Sequence, residues 1–89
     1  RTNYFVNGAS FVFVKDAHAR ILINLGTRIR KLREKKQLDQ KQFAFNCEIS
    51  RTQLHLIERG MGNPRLATLI KIAEGLETTP EVLFQFQSE

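Results

Sequence analysis

From Asp16 onward the apolar residues return at helical spacing, with Leu22, Leu25, Ile29 and Leu32 on one stripe. Arg28, Arg30, Lys31, Arg33, Lys35 and Lys36 fall largely off it. This period predicts an amphipathic helix capped by Asp16 and running to about Lys36, with cations in its last turn where they suit the helix dipole. Residues 3–14 (NYFVNGASFVFV) have another texture, aromatic and β-branched, with Asn7-Gly8 in the middle. Asn-Gly between apolar runs predicts a hairpin, because both residues tolerate the positive φ of a type I′ turn. An isolated hairpin with so short a first arm is marginal in water, so another surface is expected to cover Phe5, Phe11 and Phe13.

Four shorter helices follow. Asp39 precedes Gln42 by three residues and Ser50 precedes Gln53 by three, two capping boxes. They predict a second helix ending near Cys47 and a third running to Arg59 and stopping at Gly60. Asn63-Pro64 reads as a cap followed by proline at the first helical position, opening a fourth helix over Arg65–Leu76. Thr79-Pro80-Glu81 repeats the signal for a fifth, ending near Phe86. The expected fold class is all-α, a five-helix bundle over 16–89 preceded by a short β-like arm over 1–15.

The second and third helices carry the functional signal. Phe43, Ala44 and Cys47 on one, Ile49 in the turn, and Leu54 and Ile57 on the other lock two short helices across a three-residue turn, which forces a steep crossing. The other face of the third helix then protrudes with Arg51, Thr52, His55, Leu56 and Arg59. A protruding short helix fits the major groove of B-DNA, where every base pair shows its own pattern of donors and acceptors.

Charge sharpens this picture. The 89 residues carry a net charge of +5. Thirteen of the fourteen Lys and Arg lie in 1–65, against five acids, while 66–89 holds one cation and four acids. A basic surface therefore belongs to the first two thirds and favours a polyanionic partner. Cys47 is the only cysteine, which excludes an intrachain disulfide and fits a small buried hydrophobe. His18 and His55 are far apart in sequence, so neither a metal site nor a cofactor is expected. The apolar runs Ala9–Val14 and Ile21–Ile23 are too short for a membrane span, and the N-terminal segment lacks a signal-peptide layout. A soluble cytoplasmic protein is the expectation.

At LGTRIRKLREKKQLDQKQFA (25–44), ISRTQLHLIERG (49–60), NPRLATLIKIAEGL (63–76) and TPEVLF (79–84) the sequence resembles the phage-repressor and Cro-like, or Xre-type, helix-turn-helix transcription regulators. The resemblance covers roughly residues 20–86. It implies a bacterial or phage-encoded regulator that binds double-stranded DNA at a palindromic operator as a homodimer. Such proteins act as repressors, as controllers of restriction–modification genes, or as antitoxins. It places Arg51, Thr52 and Leu56 at base edges, with His55 nearby. Gln40 would touch a phosphate and buttress the recognition helix, and Arg59, Asn63 and Arg65 would grip the DNA backbone. Two positions depart from the pattern. Glu48 stands where the turn usually has glycine, at a cost of about 1 kcal/mol. Leu56 replaces a polar reader and suits a thymine methyl group.

Other readings attach to the same residues. The basic run 28–36 suits a wet helix face, with one or two cations on phosphate. Glu58 reads as structural, paired with a cation of the first helix. The alternative function is a protein-interaction module or antitoxin component acting through Val82, Leu83, Phe84 and Phe86. A homodimer contact is expected through the C-terminal helix and through residues 3–14, whose aromatics would be an aggregation hazard if left exposed. An enzyme is excluded by the lack of paired carboxylates, of a nucleophile with a His partner, and of a glycine-rich phosphate loop.

Overall fold

The computed structural model describes the backbone of residues 8–86 and the side chains of residues 17–86. Five helices make up its regular structure: α1 (Gly8–Lys35), α2 (Gln40–Cys47), α3 (Arg51–Glu58), α4 (Leu66–Gly75) and α5 (Pro80–Leu83). No strand occurs among the described residues.

Helix α1 begins earlier than its pattern predicts. Residues 8–14, expected as hairpin, are its first two turns, and Asp16 lies inside it rather than capping it. Residues 1–7, the rest of the expected arm, lie outside the described residues. The physical reason is the cost of starting anew. Extending an existing helix fixes one residue per hydrogen bond, whereas a hairpin of this length needs a partner surface to hold it. The unfavourable helix propensity of Phe and Val, a few tenths of a kcal/mol each, is too small to reverse that balance.

The later helices start and stop for local reasons. Asp39 accepts a hydrogen bond from the Gln42 N–H at 2.7 Å and Ser50 accepts one from the Gln53 N–H at 3.0 Å, as the two capping boxes predict. The start of α4 differs from expectation. Its cap is Arg65, without a side-chain hydrogen bond, so Asn63 and Pro64 belong to the loop before it. Helix α5 is a single turn after Thr79 and ends at Leu83, short of Phe86.

The core gathers Leu25 and Ile29 from α1, Phe43, Ala44 and Cys47 from α2, and Leu54 and Ile57 from α3. Leu69, Ile72, Ala73 and Leu76 join from α4 and its end, and Leu83 from α5. Leu32 and Ile49 pack against its edge. Helix α1 lies across α3 and α5, and α2 lies between α3 and α4. The effect is to hold α3 by one side only.

Candidate nucleic-acid interface

The α2–α3 turn decides where α3 points. Glu48 sits at φ 61° and ψ 40°, the left-handed conformation that the turn requires. The next N–H, of Ile49, then reaches back to the Ala44 carbonyl at 3.0 Å, closing α2 and folding Ile49 onto the core. Ser50 opens α3 at once.

Along α3 the buried positions are Leu54, Ile57 and Glu58. Arg51, Thr52, Gln53, His55, Leu56 and Arg59 are exposed. Thr52 and Leu56 stand one helical turn apart, opposite the buried trio. Arg51 and Gln53 flank them at the N-terminal end and His55 sits beside Leu56. All four residues expected at base edges are exposed, Arg51 at the open N-terminal end of the helix in line with Glu58, and Thr52, His55 and Leu56 on the side turned away from the core. Gln53 is exposed too and was missed, because its place in the capping box accounts for its backbone N–H and leaves its side chain unassigned.

A buried ion pair fixes α3 from behind. Arg33 Nε and Nη2 donate to the two carboxylate oxygens of Glu58 at 2.7 and 2.9 Å, a bidentate pair almost wholly out of solvent. Arg33 Nη1 donates to the Leu38 carbonyl at 2.8 Å, and Gln40 Nε2 donates to Glu58 Oε1 at 2.9 Å. One carboxylate thus ties together the end of α1, the start of α2 and the last turn of α3. The hydrogen bonds to Glu58 raise the Arg33 pKa above its ordinary value. The Glu58 expectation is met, and Gln40 bonds to the same carboxylate. Arg33 corrects the picture of a uniformly wet basic face, since it is 8% exposed. The helical stripe marks it as off-core only because the stripe counts apolar residues.

Arg28 is likewise engaged, its Nε donating to the Val82 carbonyl at 3.0 Å. Lys36 pairs with Glu77 and Arg30 with Glu34 on the surface. Lys31 and Lys35 are exposed. On the side of α3, Arg59 caps its C-terminal end and Asn63 and Arg65 are exposed in the loop leading to α4. Lys41, in the first turn of α2 beside Gln40, is exposed as well and was not singled out in the sequence. Exposed cations on α2, α3 and the loop after it thus accompany an exposed side of α3 that carries a hydroxyl, an amide, an imidazole and one leucine. That arrangement can attract phosphates through the cations and meet base edges through the exposed side of α3.

Two glycines let the helices come this close. A Cβ on Gly26 would collide with the Ile57 carbonyl oxygen, so α1 and the last turn of α3 touch backbone to backbone. Gly60 turns at φ 75° directly against Ile23. Among the described residues no helix is long and apolar enough to cross a membrane, and no group of three or more His, Cys, Asp or Glu is placed to hold a metal ion.

Comparison with known proteins gives the same frame. The helix-turn-helix family model matches residues 29–83. Control protein C.MunI of Mycoplasma sp is 42% identical over 65 residues, 72% of this chain and 88% of that protein. Control protein C.BamHI of Bacillus amyloliquefaciens is 34% identical over 67 residues, 74% of this chain and 83% of that protein. Among solved structures, the restriction-modification controller protein C.AhdI from Aeromonas hydrophila superposes with a TM-score of 0.70 at 36% identity, covering 71% of this chain and 96% of that one.

Proposed function

Since the chain belongs to the helix-turn-helix family and is a DNA-binding transcription regulator of the Xre and Cro-repressor type, we propose that it binds a palindromic operator as a homodimer, with α3 in the major groove. The family consists of regulators and not enzymes. The observation that carries the reading is the one-sided burial of α3. Leu54, Ile57 and Glu58 are locked inward, and Arg51, Thr52, His55 and Leu56 are left in solvent.

In this reading Arg51 donates both arms of its guanidinium to a guanine edge, a pairing worth about 1–3 kcal/mol of discrimination. Thr52, His55 and Leu56 meet the neighbouring base edges. Gln40, Arg59, Asn63 and Arg65 contact phosphates and set the register of α3 on the duplex. Gln40 Nε2 already donates to Glu58, so its other amide hydrogen is the one available for a phosphate. The relatives named as control proteins favour a controller or repressor of a few genes, acting in the cytoplasm of a bacterium. The homodimer would form through α5 and the segment after it, where Phe84 is 45% exposed and stacks obliquely on Phe86, together with the N-terminal residues.

That same exposed Phe84 supports the second reading, a protein partner docked at the C-terminal end. Leu83 takes no part in either contact: it is fully buried in the core, and Val82 is half-buried. Selection of random duplex DNA at two salt concentrations, followed by sequencing, separates the readings. A palindromic motif that relaxes at one position in Arg51→Ala supports base reading by a dimer. Weak binding without a motif, equally weak in Arg51→Ala, would move the protein-partner reading to the front.

A further inference from the structure

Leu56 and Met61 interrupt the polar character of the reading side. Leu56 stands opposite the buried residues of α3 and is 38% exposed, and Met61, just beyond the end of that helix, is 53% exposed. The Met61 N–H donates to the Leu56 carbonyl at 2.9 Å, which holds the two residues together. With Gln53, Asn63 and Pro64 they line a shallow notch of about 100 Å³. A single exposed apolar side chain needs no explanation. Two that share one notch with Gln53 and Asn63, at the end of the helix that faces base edges, match the one apolar feature of the major groove, the methyl group at C5 of a pyrimidine.

Resting on the reading of base edges by α3, we propose that Leu56 and Met61 form a methyl-reading notch for the C5 methyl group of thymine or of 5-methylcytosine. The notch gives the operator a position selected by apolar contact rather than by hydrogen bonds. Its occupancy therefore follows the methyl group and not the pairing edge. Leu56 supplies the contact from the last turn of α3, and Met61, unbranched and polarizable, closes the side of the notch toward the α4 loop.

The test uses the purified full chain and the operator obtained by selection from random duplexes. Each thymine is replaced in turn by deoxyuridine, which removes only the methyl group. Affinity is expected to fall about four-fold at one position in each half-site, the worth of roughly one buried methyl group. That penalty is expected to vanish in Leu56→Ala and to shrink in Met61→Ala. Leu56→Asn, which keeps side-chain length and branching and replaces the two methyl groups by an amide, gives the same readout should Leu56→Ala prove poorly folded by thermal unfolding. Placing C·G and then 5-methylcytosine·G at the sensitive position separates the two sources. A gain of about four-fold on methylation supports a notch that reads the methyl on either base, and no gain overturns the 5-methylcytosine half and leaves thymine as its ligand. A motif insensitive to deoxyuridine everywhere, or a penalty that persists in both Leu56→Ala and Met61→Ala, overturns the methyl notch alone. Failure to select any motif overturns base reading by α3 together with it.

Discussion

At the scale of single residues, four helix ends close in one way. Gln37, Glu48, Gly60 and Glu77 each take a positive φ between 59° and 75°. The residue after each, Leu38, Ile49, Met61 or Thr78, donates its N–H to the carbonyl five positions back. Three of the four positions are not glycine, so each costs about 1 kcal/mol that the helix-end hydrogen bonds and the packing of Leu38 and Ile49 offset. Glu58 is the most consequential single side chain. Glu58→Ala leaves Arg33 buried without its partner, and a loss of about 3–5 kcal/mol in urea unfolding is expected, with weaker DNA binding wherever the variant remains folded. Cys47 makes stability depend on alkaline pH. Burial pushes its thiol from 9.0 up to about 11. A folded-state pKa above the unfolded one means the stabilisation is complete below about pH 9 and is lost as pH rises toward 11. The loss is about 2–3 kcal/mol, and urea titrations of Cys47→Ala across that window should lack this part of the slope.

At the scale of elements, close approach governs the arrangement more than side-chain size. Helix α4 ends against α2 at Gly75, where an added Cβ would lie 2.5 Å from Cys47 Sγ and 3.3 Å from the Phe43 ring. Gly75→Ala is therefore expected to destabilise the fold by about 1–3 kcal/mol through overpacking. The nearer obstacle is a side chain rather than backbone, so Cys47→Ala should recover part of that loss. A double-mutant cycle in thermal unfolding measures the coupling, and simple additivity would show that the strain lies elsewhere. Gly26 has no such escape, because its obstacle is the backbone of α3. The α1–α3 contact is thus the fixed reference against which the reading side is aimed.

At the scale of the whole molecule, charge is sorted. The acids of residues 74–81 lie on α4, α5 and the turn between them, while Arg51 opens α3 and Lys41, Arg59 and Arg65 are exposed on α2, at the end of α3 and in the loop after it. Phosphate binding by these cations predicts that affinity falls steeply with salt, by a slope near 0.9 in log K per phosphate neutralised. Arg59→Ala and Arg65→Ala should each lower the slope by about 1 and weaken binding equally across sequences, as measured by titrations at several salt concentrations. Arg51→Ala should instead change which sequences bind. Equal effects from all three substitutions would count against the division between backbone and base contacts.

The sequence by itself determined whatever short-range chemistry controls. Asp39 and Ser50 marked the starts of α2 and α3, and Phe43, Ala44, Cys47, Leu54 and Ile57 marked the faces that bury. Periodicity therefore exposed Thr52, His55 and Leu56 on the far side and left Arg51 at the open N-terminal end of α3, and the Glu48 turn was expected from the resemblance of this stretch to the helix-turn-helix pattern. Only the tertiary structure decided the rest. The start of α1 depends on the low cost of extending a helix already held by its packed half, which local propensity at residues 8–14 does not register. The burial of Arg33 depends on a carboxylate 25 residues away, and the notch of Leu56 and Met61 on how the chain turns after α3. Those are contacts between elements, set by where the helices cross, and a one-dimensional pattern does not carry a crossing.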